Sequence, residues 1–181
     1  MRFDDARKAT VKYLESDEFK EREDAQDSQT DVPYLIDINR RGFLTQNSQP
    51  GNEARGKNPM TGKSYHIEER AYVSGFMKTK QGIEFVRRFN AFSDKTCYIN
   101  QVIDESCAPV NTDYWLPLTK SNGEVFTRSS LWIPTETFEF MKKQAKINKS
   151  ESVVYIMCFD PVWNRKASGR NGLFRDILKA L

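Results

Sequence analysis

The sequence is poor in the residues from which catalytic and metal sites are usually built. His66 is its only histidine, and no cysteine or acidic cluster stands beside it at ligand spacing, so a His-rich zinc site is not available. A Gly-x-Ser-x-Gly nucleophile elbow is missing, and Gly62-Lys63-Ser64 lacks a glycine at the spacing of a phosphate-binding loop. We therefore expect no metal and lean towards a protein that binds rather than catalyses.

Cysteine is also scarce. Cys97, Cys107 and Cys158 are odd in number and widely spaced, which excludes a disulfide scaffold and a Cys-x-x-Cys metal site. Cys97 and Cys158 fall in strand-like segments, where a free cysteine usually behaves as a small buried hydrophobic residue. Free thiols are typical of a reducing compartment, so we expect an intracellular protein.

Two further absences limit the class of partner. No apolar run approaches the roughly 20 residues that cross a bilayer, and the charged start Met-Arg-Phe-Asp-Asp lacks the apolar core of a signal peptide. We therefore expect a soluble chain without a membrane partner. The net charge of +3 comes from 28 basic and 25 acidic residues, and so even a balance does not predict nucleic acid as the primary target.

The sequence is rich enough in apolar side chains to fold. Aromatic residues make up 12% of its 181 residues and hydrophobic residues 38%, which suffices for the core of one domain. We predict a single domain over 1–181, with an N-terminal helix and polar loop over 1–29 and the main body over 30–181. No repeat or internal linker divides it.

Hydrophobic periodicity predicts alternating groups of helices and strands. The predicted helices cover 2–15, 30–42, 79–92, 135–147 and 173–181, and the predicted strands cover 43–48, 65–76, 96–103, 114–118, 124–129 and 152–159. Residues 21–29, 49–64 and 104–112 are predicted to be loops. The nearly all-apolar run over 152–159 is expected to be a central strand, and Ser121-Asn122-Gly123 between two predicted strands indicates a hairpin. Because helices and strands do not alternate strictly, we expect an α/β protein of the α+β type, with a single mixed sheet flanked by helices.

Two polar segments carry a recognisable pattern. Residues 39–50 read Asn-Arg-Arg-Gly-Phe-Leu-Thr-Gln-Asn-Ser-Gln-Pro, and residues 70–76 read Arg-Ala-Tyr-Val-Ser-Gly-Phe. Together, at this spacing, they resemble the C-terminal regulatory domain of eukaryotic methylenetetrahydrofolate reductase, the domain that binds S-adenosylmethionine. The resemblance is best over 35–103, and beyond that the order of elements is similar.

The resemblance implies a fold, a ligand and a set of contacts. It implies S-adenosylmethionine as the ligand, without flavin, since 181 residues leave no room for the roughly 250-residue catalytic barrel. Thr45 and Ser48 match the ligand-contacting threonine and serine of the family's strand motif. Thr30 lies where the family has a Glu-Thr pair, and Ser130 lies near the position of a further ligand threonine.

A different class of function remains open. The chain could be a structural or interaction protein that keeps only the fold, as a subunit of a larger assembly such as a particle or ribonucleoprotein. Its contacts with protein partners would then come from residues 49–64 and 163–172, with Trp163, Arg165, Lys166 and Arg170 as the candidate partner-binding side chains. A ligand module predicts an open polar pocket beside Thr45 and Ser48, whereas an assembly protein predicts that Phe43 or Tyr72 fills that space.

Overall fold

The structure is a computed structural model that describes residues 1–22, 30–104, 106 and 115–181. Most of the two predicted loops over 21–29 and 104–112 lies outside these residues. The described helices are α1 (Phe3–Leu14), α2 (Asp17–Lys20), α3 (Val32–Arg40), α4 (Thr79–Phe92), α5 (Thr135–Gln144) and α6 (Leu173–Ala180). The five predicted helices are therefore confirmed, and the four-residue α2 is an addition.

The strands within the described residues form two sheets. They are β1 (Leu44–Gln49), β2 (Glu53–Lys57), β3 (Ser64–Lys78), β4 (Thr96–Ile99), β5 (Gln101–Ile103), β6 (Trp115–Ser121), β7 (Glu124–Ser130), β8 (Trp132–Pro134) and β9 (Val153–Trp163). Seven strands form an antiparallel sheet in the order β4-β9-β3-β6-β7, with β1 and β2 also paired to β3, while β5 and β8 form a small parallel sheet. The α+β prediction is confirmed, and the parallel pairing lies in the small second sheet.

The long strand β3 organises the main sheet. Leu44 of β1 lies opposite Phe76 near its C-terminal end, and Glu53 of β2 lies opposite Glu68 near its N-terminal end. A Cβ atom on Gly75 would lie 2.1 Å from the carbonyl oxygen of Leu44. Glycine is therefore required at 75 for β1 to approach β3 this closely.

The sheet separates two hydrophobic cores, because successive side chains of β3 point to opposite faces. Val73 belongs to the core that packs against α3, α4 and α6, in which the rings of Phe43 and Phe85 meet edge to face at 5.7 Å. Phe76 belongs to the other core, where its ring lies 5.0 Å from that of Tyr155. The site described below lies beside β1, at the margin of both cores.

Three local features differ from the sequence prediction or refine it. The predicted loop over 49–64 is wrong in part, because β2 pairs with β3 within it. The predicted strand over 96–103 is interrupted at Asn100, where the chain leaves the main sheet for the small one. The predicted hairpin is confirmed, with Asn122 and Gly123 both at positive φ (51° and 85°), as a type I′ turn requires.

None of the described helices is long and apolar enough to cross a membrane.

Candidate functional site

A buried asparagine joins the end of α3 to the start of β1. Asn39 is fully buried, and its amide nitrogen donates to the Leu35 carbonyl oxygen at 2.8 Å and to the Thr45 hydroxyl at 2.7 Å. The Thr45 backbone N–H donates in return to the Asn39 amide oxygen at 3.1 Å. The Thr45 hydroxyl is thus held as an acceptor, while its own proton has no acceptor among the described residues and can be donated to a ligand.

Thr45 and Ser48 both line an open space that we name the α1–β1 groove. It has a volume of about 710 Å³ and is lined by Thr10, Tyr13, Leu14, Phe19, Arg22, Leu35, Thr45, Gln46, Asn47, Ser48 and Gln144. Phe43 does not fill the groove, because its ring is fully buried against Phe85 in the core. The groove has the size of an ordinary small-molecule site.

A second cavity, the β3–β7 cleft, lies between residues of β3, β7 and α5. It measures about 300 Å³ and is lined by Asn47, Tyr72, Ser74, Asn100, Leu118, Arg128, Ser129, Ser130, Trp132, Ile133, Pro134, Thr137, Met141, Tyr155 and Met157. Ser130 is therefore in this cleft and not in the α1–β1 groove. Asn47 lines both cavities and is the point at which they adjoin.

The β3–β7 cleft contains hydrogen-bonding groups that the fold satisfies only in part. The Tyr155 and Ser74 hydroxyls lie 2.9 Å apart, and burial raises the pKa of Tyr155, so the phenol stays neutral. Asn100 is 3% exposed and its amide nitrogen donates to the Ser130 carbonyl at 2.6 Å. Its amide oxygen has no donor among the described residues, so the cleft offers a buried acceptor.

The start of α3 contributes fewer residues to the groove and the cleft than the resemblance implies. Thr30 is exposed and is not among the residues that line the groove or the cleft. Its neighbour Asp31 is only 4% exposed, and burial raises the pKa of that carboxyl group. The four predicted ligand residues are thus divided: Thr45 and Ser48 share the groove, Ser130 lines the cleft, and Thr30 stands apart.

The predicted partner-binding loop uses two of its four side chains internally. Trp163 is covered by two cations, with the Arg70 guanidinium 4.4 Å and the Lys120 ammonium 4.3 Å from its ring. Arg165 donates to both carboxylate oxygens of the buried Asp160 and, at 2.9 Å, to Asp94.

Lys166 and Arg170 of the same loop remain exposed. They are the two predicted partner-binding residues that are still accessible to a partner.

A comparison with protein-family models gives one family over nearly the whole chain. Residues 2–181 match the family described as a domain of unknown function, DUF6919. The chain belongs to this family. No curated protein matches the chain significantly.

Three features of the structure were not predicted from the sequence. Asn39 was predicted only as part of the helix over 30–42, although its amide bonds to Thr45. Asn100 lies in the cleft because the chain breaks between β4 and β5 at this residue. The β propensity is continuous over 96–103, so the sequence did not predict that break. The pairing of Cys97 with Cys158 follows from strand register, which sequence spacing does not reveal.

Proposed function

We propose that this DUF6919 chain is a non-catalytic module that binds a small molecule of the S-adenosylmethionine type in the α1–β1 groove. The observation that carries the proposal is the open polar space of about 710 Å³ beside Thr45 and Ser48, with Phe43 packed elsewhere. An open pocket at this place is what a ligand module predicts. The resemblance of residues 39–50 to the regulatory domain of methylenetetrahydrofolate reductase supports the choice of ligand.

The side chains of the groove suit a molecule that combines a flat base with polar ends. The rings of Tyr13 and Phe19 meet edge to face at 5.4 Å and provide an apolar wall for an adenine. The Thr45 and Ser48 hydroxyls supply hydrogen bonds for a ribose or a carboxylate. Arg22, whose guanidinium donates to the Tyr13 hydroxyl at 2.7 Å, also lines the groove.

The position of Ser130 restricts how the ligand can lie. Ser130 lines the β3–β7 cleft, and Asn47 lines both cavities. A ligand that contacts Thr45, Ser48 and Ser130 at once must therefore extend past Asn47. A ligand confined to the groove contacts Thr45 and Ser48 without Ser130, so a Ser130→Ala variant distinguishes these two poses.

The test is calorimetric titration of the protein with S-adenosylmethionine and S-adenosylhomocysteine. We expect micromolar binding by the parent chain and at least a tenfold loss in Thr45→Val, because the hydroxyl that donates to the ligand is removed. Thr127→Val on the exposed face of β7 is the matched control and should bind like the parent. The melting temperature of Thr45→Val should fall only slightly, since Asn39 keeps its bonds to Leu35 and to the residue 45 backbone.

Two results would contradict this proposal. Equal affinity of Thr45→Val and the parent would move the ligand away from the groove. Absence of heat at millimolar concentrations of both compounds would leave the fold without this ligand class.

A second candidate function is that of an assembly subunit, and one observation favours it. Phe126 is 75% exposed on β7 and Phe140 is 60% exposed on α5, and exposed aromatic side chains are common at protein interfaces. The expected result is capture of a protein partner by the parent chain and not by the Phe126→Ser, Phe140→Ser double variant. Capture by both proteins would contradict a role for these side chains.

A further inference from the structure

Two buried cysteines lie directly opposite each other in the main sheet. Cys97 of β4 is paired with Cys158 of β9, and their sulfur atoms are 3.0 Å apart. Cys97 is 2% exposed and Cys158 is fully buried. Both are free thiols. Such a separation is too short for two independent packing residues, and it places the thiols within reach of a bond between them.

The hydrogen bonds of the Asn90 side chain show which kind of antiparallel residue pair Cys97 and Cys158 form. The Cys97 backbone N–H donates to the Asn90 amide oxygen at 3.0 Å, and the Asn90 amide nitrogen donates to the Cys97 carbonyl at 2.6 Å. Both backbone groups of Cys97 therefore point away from β9, and the Cys97–Cys158 pair is a non-hydrogen-bonded one. In such pairs the Cα atoms are about 4.5 Å apart, inside the range of roughly 4.4 to 6.8 Å that a disulfide spans.

We propose that Cys97 and Cys158 form a redox pair, which a peroxide oxidises to an intramolecular disulfide across β4 and β9. In the first step one thiol and hydrogen peroxide give a sulfenic acid and one water. In the second step the other thiol attacks that sulfur, and the new sulfur–sulfur bond forms as a second water leaves. Two thiols and one peroxide thus give one disulfide and two waters, and the peroxide accepts both electrons.

The position of the pair in the sheet sets the rate of this reaction. Burial raises the pKa of the Cys158 thiol, which keeps it from being a ready nucleophile. β4 is four residues long and is the terminal strand in the order of the sheet, so it can separate from β9 by local opening. Oxidation should therefore be slow, because its rate is limited by this opening. Once formed, the disulfide should be cleaved only when a reductant is added.

Asn90 provides a way to change that rate without altering either thiol. An Asn90→Ala variant loses both contacts to the Cys97 backbone, so β4 should open more often. We expect the disulfide to form several-fold faster in Asn90→Ala than in the parent. Arg88→Ala, on the exposed surface of the same helix, is the control and should leave the rate unchanged.

The main test is chemical and needs no ligand. Cys107 lies outside the described residues, so the experiment uses the Cys107→Ser chain, fully reduced and then treated with hydrogen peroxide. We expect the intact mass to fall by about 2 Da as two hydrogens are lost, the titratable thiols to fall from two to none, and one linked peptide to contain Cys97 and Cys158. The melting temperature should rise by roughly 10 °C, because the bond closes a long loop.

Several outcomes would overturn the proposal. These are persistence of both thiols under peroxide, gain of oxygen atoms without a linked peptide, and disulfide-linked dimers between two chains. Cys97→Ala should abolish the linked peptide, and a mass loss of the same size in that variant would also contradict the assignment. Because none of these measurements involves S-adenosylmethionine, they are independent of the proposed ligand function.

Discussion

The segment 39–50 and the loop 163–172 differ in how they use their polar side chains. In the loop, Arg165 is paired with Asp160 and Asp94, and Trp163 is covered by Arg70 and Lys120. In the segment, the buried Asn39 side chain bonds to Leu35 and Thr45. The side chains of Arg40, Arg41 and Gln49 also donate to other parts of the fold. The hydroxyls of Thr45 and Ser48 stay at the surface of the α1–β1 groove.

This difference explains why composition alone could not show which of the two segments has side chains available to a partner. A basic loop with a tryptophan is typical of an interface, yet Asp160 is fully buried and a buried carboxylate requires a partner. The guanidinium of Arg165 therefore serves primarily to stabilise the fold by pairing with Asp160. The Thr45 hydroxyl accepts one hydrogen bond from Asn39, which leaves its own proton available for donation.

The largest expected effect comes from removing the negative charge of Asp160, the buried partner of Arg165. In Asp160→Asn, Arg165 loses a charged partner to which it donates two hydrogen bonds, while the bond from the Val162 N–H can be retained by the amide. We expect the free energy of unfolding to fall by about 3 kcal/mol. Urea denaturation followed by circular dichroism measures it.

The control for this variant lies in the same loop. Arg170 is exposed, so Arg170→Ala should change the free energy of unfolding by no more than about 0.5 kcal/mol. If Asp160→Asn were as stable as Arg170→Ala, the buried pair would not hold the loop. Arg165 would then return to the set of candidate interface residues.

A smaller effect is expected from the buried side chain of the other segment. Asn39→Ala leaves the Thr45 N–H without its acceptor and removes the side-chain bond to the Leu35 carbonyl, which should cost about 2 kcal/mol. Gln46→Ala, an exposed change in the same strand, should cost less than about 0.5 kcal/mol. Thermal and urea unfolding of the two variants measure the difference, and equal stability would show that Asn39 does not hold the strand.

The elements that the sequence predicted best are those whose local pattern agrees with their tertiary environment. The helix over 79–92 has the predicted bounds, since its apolar residues recur at helical spacing. The apolar run over 152–159 predicted a central strand, and β9 lies between β3 and β4. The Asn122-Gly123 dipeptide predicted its hairpin, because the turn needs positive φ at both positions.

The errors arise where long-range pairing decides the structure. β2 (Glu53–Lys57) is mostly exposed and charged, so it shows no alternating apolar pattern. It forms a strand because it pairs with β3. The motif around Thr45 and Ser48 predicted a shared ligand site, and both residues line the α1–β1 groove. It could not show that Ser130 lines a different cavity, the β3–β7 cleft, since the resemblance carries no register.

The smallest expected effect is a pH dependence at Asp94, an acidic partner of Arg165. Hydrogen bonds from Lys95 and, secondarily, Arg165 hold the pKa of Asp94 below its ordinary value. A lowered pKa in the folded state contributes stability above the unfolded value of about 3.9, and this contribution is lost as the pH falls through the folded value. Asp94 is 63% exposed, so solvent screening limits the contribution to less than about 0.5 kcal/mol. We expect Asp94→Asn to be slightly less stable than the parent at pH 7 and equal to it at pH 2, as measured by melting temperature. A difference that grows towards low pH would mean that Asp94 is not stabilised by these cations, and the contrast between the two segments would then rest on Asp160 alone.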